Sequence, residues 1–382
     1  MRWANLSDLC EINVGRTPAR ANATYWGSGH AWLSIADMNQ GRVLTTTKEQ
    51  ITEVGRQECN VRIVDPGTVV LSFKLSIGKV GIINHPMATN EAIAALPVKN
   101  PSVLYSEYLY HALGSLNLAG GANRAAMGAT LNKASLAKIQ IPLPPLSDQR
   151  RIAGILDKAD HLRTQRREAL IHLDALTQSI FNSMFGNPVS NSAGWRTEKL
   201  GNLGKLDRGV SKHRPRNDPR LLGGVHPLIQ TGDVANSGGY ITEFKSTYSD
   251  FGLSQSRLWP EGTLCITIAA NIAKTGILQF KACFPDSVVG FTADPSTSVF
   301  VQVWMGFLQK IIERNAPESA QKNINLTILR DLNVINPPLE LQQIFAERVA
   351  GIEKLKEQHR TQLAELDALF ASLQHRAFRG EL

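Results

Sequence analysis

Arg208, Lys212, Arg214, Arg216 and Arg220 crowd one short stretch in which prolines hold the chain extended. The corresponding stretch near the start of the chain holds Arg16 and Arg20. A guanidinium fork grips phosphate oxygens or the O6 and N7 edge of guanine in bidentate fashion, and an ammonium serves as a point charge for a phosphate. Lys74, Lys79 and Lys274 lie beside glycine-bearing strand turns, with Lys79 and Lys274 195 positions apart, and Lys322 sits in Gln321-Lys322-Asn323 before the last strand. Tyr25, Trp26, Gln230 and Asn271 supply the flat or amide side chains that can reach the edge of a groove. This is chemistry of anion holding and readout, not of bond making.

Bond-making sets are missing. The sequence has no HExxH, no GxSxG and no GxGxxG behind a strand, and Gly78-Lys79 lacks the rest of a phosphate loop. His30, His85, His111, His213 and His226 do not pair between the two halves of the chain, so they read as surface or satisfied core residues. Cys10, Cys59, Cys265 and Cys283 form no Cys-x-x-Cys and read as core thiols of a reducing compartment. Asn336-Pro337-Pro338-Leu339 approximates the Asn-Pro-Pro-aromatic grip of adenine methyltransferases. A leucine in the fourth place offers no face to stack on a flipped base, and the partner phrase Leu143-Pro144-Pro145-Leu146 has no amide. Both phrases read as connectors, and the expectation is a chain without catalytic centre, cofactor or metal of its own.

The elements that must hold these residues are written twice. Pro145 and Pro338, Gln149 and Gln342, Ile152 and Phe345, and Phe185 and Phe378 are each 193 positions apart. Gly67 and Gly262 are 195 apart, as are Gly81 and Gly276, and Trp3 aligns with Trp195 at 192. Nearly constant spacing means one duplicated unit with small loop indels. In each copy, runs such as "GTVVLSF" and "GTLCITI" predict strands, and "PSVLYSEYLYHAL" and "STSVFVQVWMGFLQKII" predict helices, giving a mixed α+β domain. After each double proline a long, proline-free helix follows. Its apolar line runs Ile155, Ala159, Leu162, Arg166, Ala169, Leu173, Leu176, Ile180 in the first copy. In the second it runs Ile352, Leu355, His359, Gln362, Leu366, Leu369, Leu373. A heptad rhythm asks for a partner helix, with Arg166 and His359 at equivalent polar positions. The expected division is 1–145 and 187–338 as the two mixed domains, and 146–186 and 339–382 as the helices.

A chain of 382 residues with 43% hydrophobic content fills two cores. Its formal charge of +8 is concentrated: residues 1–147 carry 13 Lys and Arg against 9 Asp and Glu, and residues 187–339 carry 16 against 12. An anionic partner shared equally by the two domains is expected. Two similar basic domains on stiff spacers suit a repetitive polymer such as duplex DNA, read as a split and asymmetric site. A double scaffold for protein or RNA is the competing reading. No signal peptide or membrane span is evident, so an intracellular, cytoplasmic protein is expected.

"PLPPLSDQRRIA", its counterpart in "QKNINLTILRDLNVINPPLELQQIFA", and "GRTPAR", "YWGSGHAWLSIADM" and "GTVVLSFKLSIGKVGI" together resemble the specificity subunits of type I restriction-modification systems. "WRTEKLGNLGKLDRGVSKHRPR" and "HPLIQTGDV" fit that pattern less tightly. The resemblance spans the chain. It implies two target recognition domains alternating with two conserved helices that pair as an antiparallel coiled coil. It also implies a subunit without catalysis that binds double-stranded DNA, two methyltransferase subunits and restriction (motor) subunits. S-adenosylmethionine then belongs to the methyltransferase subunits, and ATP and magnesium to the restriction subunits.

Overall fold

The computed structural model describes residues 2–74, 76–116, 118, 131–188, 190–269, 273–315 and 325–382. The chain divides into two compact units. Met1–Arg167 with Thr361–Leu382 form the first, and Glu168–Arg360 form the second.

In the first unit Trp3–Asn5 pairs antiparallel with Gln140–Pro142, which brings the start of the mixed domain to its end. A five-stranded sheet has the order Asn13–Val14, Ile93–Leu96, Val69–Ser72, Val80–Ile83, Val43–Leu44. A four-stranded sheet has the order Glu49–Ile51, Trp26–Leu33, Met87–Thr89, Ile63–Val64. The central strands Val69–Ser72 and Ile93–Leu96 are buried along their whole length, which is why they read as unbroken apolar runs. Leu71, Leu96, Tyr108 and Leu109 pack with Ile152, Leu156 and Ala377 into one core, so helix Ser106–Ser115 and the ends of both long helices are tied to the sheet.

The second unit repeats this plan strand for strand. Thr197–Lys199 pairs with Asn333–Ile335. The five-stranded order is Lys205–Arg208, Val288–Thr292, Leu264–Thr267, Thr275–Leu278, Tyr240–Ile241, and the four-stranded order is Ser246–Tyr248, Leu222–Leu228, Ala282–Cys283, Leu258–Trp259. Phe181, Phe185, Phe300 and Phe345 stack or meet edge to face at centroid distances of 5.1 to 6.4 Å, joining both long helices to helix Pro295–Asn315. The ribbons correct one alignment. Trp3 lies opposite Pro142, whereas Thr197 lies opposite Ile335, so the structural counterpart of Trp3 is Thr197 and not Trp195.

The long helices are Leu146–Phe185 and Leu339–Arg379. Within each unit they run antiparallel: Arg151 reaches the Leu382 carbonyl and Arg163 reaches Asp367 in the first, and Lys356 reaches Asp174 in the second. Their seam differs from the apolar line expected above. Leu162, Leu176, Leu355 and Leu369 are 44 to 49% exposed, and the residue after each turns inward. Arg163, Thr177, Lys356 and Phe370 take those places because each has its needs met there. Arg163 pairs with Asp160 at 2.8 Å and Asp367 at 2.5 Å and lies 4.3 Å over the Phe370 ring. Lys356, 5% exposed, pairs with Glu353 at 2.6 Å and Asp174 at 2.7 Å. The Thr177 hydroxyl donates to the Leu173 carbonyl. Arg163 with Lys356, Asp160 with Glu353, and Asp174 with Asp367 are each 193 apart, so one charge clamp has been built twice. Arg166 and His359 are half-buried at the same spacing.

Each helix is fastened to its double-proline connector by a buried amide. Gln149 accepts from the Tyr105 N–H and donates to the Val103 and Pro144 carbonyls, all at 2.9 Å. Gln342 accepts from the Thr297 hydroxyl and donates to the Pro337 carbonyl, again at 2.9 Å, and approaches the Asn336 amide oxygen at 3.3 Å. Asn336 thus lies in a helix anchorage, in keeping with the connector reading of Asn336-Pro337-Pro338-Leu339.

Candidate nucleic-acid interface

In the first unit four of the singled-out residues gather on the four-stranded sheet. The Arg20 guanidinium lies 3.9 Å over the Trp26 ring and 4.9 Å over the Trp32 ring, with the Glu49 carboxylate taking two of its N–H groups. Trp26 donates to the Ala19 carbonyl and Trp32 to the Arg16 carbonyl, so the tryptophan pair fastens the loop that carries both arginines. Arg16 donates to the Cys59 carbonyl at 3.2 Å, and the Tyr25 hydroxyl to Glu58 at 2.8 Å. The Glu49 carboxyl is held below its usual value, first by the Arg20 hydrogen bond. Arg20 is therefore largely satisfied inside the protein, while Arg16 has only a carbonyl to face.

Lys74 and Lys79 stand apart on the hairpin that follows Val69–Ser72. The Lys74 ammonium lies 5.5 Å from the Phe73 ring. Lys79 donates to the Asn39 amide oxygen at 2.6 Å and reaches the Ile35 carbonyl at 3.4 Å, which pins the turn after Trp26–Leu33. Lys274 occupies the same place in the second hairpin: its N–H donates to the Thr267 hydroxyl at 3.1 Å, as the Lys79 N–H does to the Ser72 hydroxyl at 2.9 Å. The residue before each lysine has positive φ, glycine at 78 and alanine at 273. The second copy thus bears a left-handed strain that the first relieves with glycine.

The basic loop of the second unit is partly neutralised by its own acids. Asp286 receives Arg216 at 2.5 Å and Arg214 at 3.9 Å, and its carbonyl receives Arg208 at 2.9 Å. Asp218 receives Arg220 and His213 at 2.7 and 2.8 Å, and these hydrogen bonds, Arg220 foremost, hold its carboxyl well below the usual range. Lys212 is exposed and makes no ion pair among the described residues. Five cations against two carboxylates still leave an outward-facing excess. Gln230 starts the short helix Thr231–Ala235, where its N–H donates to Asp233 at 2.8 Å, as the Ser34 N–H does to Asp37 at 2.9 Å. Asn271 and Lys322 lie outside the described residues, as does Asn323.

Two histidines do pair between copies, contrary to the sequence expectation. The strand Trp26–Leu33 bulges between Trp26 and His30, and Leu222–Leu228 bulges between Leu222 and His226. His30 then meets Glu53 at 2.6 Å, and His226 meets Asp250 at 2.9 Å. Each acid opens a short helix capped by Thr52 or Ser249. The spacing of 196 to 197 here, against 193 to 195 elsewhere, conceals the equivalence in the sequence. Arg62 and Arg257 are equivalent too, each five residues before the glycine of the Gly67/Gly262 pair, a spacing that marks them in the sequence. Among the described residues there is no group of three or more His, Cys, Asp or Glu able to hold a metal, and no helix long and apolar enough to cross a membrane.

A duplicated mixed domain, each copy handing over to a long helix that pairs antiparallel within its unit, defines a class of recognition subunit. Two solved structures share the fold. One is an S subunit of a type I restriction-modification system from M. genitalium, with TM-score 0.59, 13% identity, and 99% of this chain and 96% of that one covered. The other comes from work on complex assembly and conformational transition of the type I R-M system, with TM-score 0.55, 18% identity, and 100% and 98% covered. The family model of the type I restriction modification DNA specificity domain matches residues 2–172 and 192–368, and the chain belongs to that family. A relative along nearly its full length is the type I restriction enzyme MjaIX specificity subunit of Methanocaldococcus jannaschii, 22% identical over 404 residues, covering 99% of this chain and 92% of the relative. Such subunits supply specificity to a restriction enzyme and carry no catalytic activity themselves.

Proposed function

We propose that this chain reads a bipartite, asymmetric site in double-stranded DNA, each unit contributing one half-site, while its long helices serve as the scaffold for two methyltransferase subunits and for restriction subunits. The observation that carries this reading is duplication with divergence. The sheets, ribbons, anchoring glutamines and charge clamps are the same in both units, whereas the exposed loops Gly15 to Arg20 and Arg208 to Arg220 differ in length and charge. Constant frames with different loops suit two different half-sites. Of the side chains proposed for DNA, Arg16 and Lys212, which make no ion pair among the described residues, and Arg214, 3.9 Å from its acid, retain the most capacity for an external anion, while Arg216 shares Asp286 at 2.5 Å. Tyr25, Trp26, Arg20, Lys79 and Gln230 support the loops that present it.

Two equivalent partners are supported by the exposed leucines. The first unit presents Leu162 and Leu369 and the second presents Leu355 and Leu176, the positions that the duplication equates. Outward leucines on helices whose inner seam is already filled favour further helix packing, and two equal sets favour two copies of one partner. S-adenosylmethionine is assigned to those methyltransferase partners, ATP and magnesium to the restriction subunits, and the assembly to the cytoplasm.

Exchange of residues 1–145 for those of a relative tests the reading. With methyltransferase subunits present, genome-wide mapping of methylated adenines should show one half-site changed and the other kept. A change in both half-sites, or methyl transfer by the purified chain alone, defeats it.

A further inference from the structure

The two units differ at one internal charge that the duplication makes comparable. Asp207 in the second unit and Asn13 in the first hold the same sheet position: Asp207 lies opposite Gly290 and Asn13 opposite Ala95, and these partners lie opposite Cys265 and Val70. Arg257 and Arg62 also correspond, each just before the outer strand of its four-stranded sheet. In the second unit the Asp207 carboxylate gathers Arg257 at 3.1 Å, Lys205 at 3.4 Å and Arg330 at 3.7 Å. In the first unit Arg62 donates to the neutral Asn13 amide oxygen at 2.9 Å.

The first unit therefore lacks its internal anion. In its place is an open cleft of about 300 Å³ whose lining includes Asn13, Arg16, Asn60, Arg62 and Lys133. Among the described residues none of the three cations has a carboxylate within ion-pair distance; Arg16 faces the Cys59 carbonyl and Arg62 the Asn13 amide. Glu11 accepts from the Asn13 amide nitrogen at 3.3 Å and is not part of the lining. Two arginines that face only neutral oxygens, with a lysine in the same lining, form a site for a small dianion or a phosphodiester.

We propose that this cleft holds one backbone phosphate of the DNA read by the first unit, with Arg62 and Lys133 as phosphate ligands beside Arg16, and that the second unit has no counterpart because Asp207 fills it. The proposal rests on the DNA reading above. It makes the electrostatic grip of the two units unequal although their formal excess is equal. Because the ligand is a phosphate, the site contributes affinity and register without sequence preference.

The test uses the full chain assembled with methyltransferase subunits and measures duplex binding across salt concentrations. Arg62→Gln and Lys133→Gln should each lower the slope of log affinity against log salt by about one, equally for cognate and single-base-variant duplexes. Asn13→Asp, which gives the first unit the carboxylate that the second already accommodates, should do the same with Arg62 in place. In a scan of single methylphosphonate substitutions along the first half-site, one position should weaken wild type and leave Arg62→Gln unchanged. If wild type binds with a steep salt slope and all three variants match it in slope and methylphosphonate profile, the cleft assignment falls and the DNA reading stands. If wild type itself shows no salt-dependent duplex binding, both fall. A rise in melting temperature with inorganic phosphate that Arg62→Gln abolishes, with the duplex slope unchanged, makes the cleft a free-anion site and overturns the assignment to DNA.

Discussion

At the scale of single residues, charge alone is a poor guide to availability. Arg20 and Lys212 both sit in basic loops, yet Arg20 lies against two indoles and is paired with a carboxylate while Lys212 makes no ion pair among the described residues. Arg20→Ala should lower the melting temperature of the full chain, by a loss of about 1 kcal/mol, with a small effect on salt slope. Lys212→Ala should leave the melting temperature in place and act on duplex affinity. Buried amides carry more stability than either: Gln149→Leu orphans one N–H and two carbonyls and should cost roughly 2 to 3 kcal/mol by denaturant titration. A pH dependence belongs to Asp157, which meets His111 at 2.6 Å and Arg42 at 2.7 Å. Burial pushes its carboxyl up, but the His111 hydrogen bond and the Arg42 charge outweigh that and leave it below its usual value. A depressed folded pKa gives stability that is complete above the unfolded value near 4 and lost as pH falls through the folded one. Melting temperature should therefore drop more steeply below about pH 4 in wild type than in Asp157→Asn.

At the scale of elements, a spacing of 193 made the long helices, their connectors and the glutamine anchors readable in the sequence. The same spacing contains the clamp, but apolar periodicity points to leucines for the seam, rewarding Leu162 over Arg163 and Leu355 over Lys356. What decides the seam is whether a polar side chain finds its partners inside, and that depends on a helix some 200 residues away in the chain. Loop insertions concealed the His30–Glu53 and His226–Asp250 pairs for a related reason: local shifts in spacing are invisible until strand register fixes them. The clamp can be tested by reversal. Lys356→Glu places a third carboxylate beside Glu353 and Asp174 and should cost roughly 3 kcal/mol, most of it recovered in Lys356→Glu with Asp174→Lys, by denaturant titration. Failure of the double variant to recover would deny the clamp a part in setting register. If the helices also set the spacer between half-sites, four residues inserted in both, after Arg167 and after Arg360, lengthen each by about 6 Å and should change the spacer in the methylated sequence while both half-sites persist.

At the scale of the whole molecule, the first unit is discontinuous and the second is not. Residues 168–360 form the second unit without outside help, whereas the first needs 361–382, whose Phe370, Leu373, Ala377 and Phe378 pack with Tyr108, Ile152 and Leu156. During synthesis, which proceeds at roughly 5 to 20 residues per second, the half made last has all its parts first. The domain built on 1–167 emerges earlier, and the inner stripe of residues 146–167 lacks its cover until residues 361–382 have been made. A chain ending at residue 360 should accordingly retain a protease-resistant core within 168–360 and lose the one built on 1–167, the reverse of what a C-terminal deletion ordinarily does. Residues 361–382 thus act as a clasp for the domain made first: a copy cut short before them keeps the frame of the second unit and leaves that of the first open.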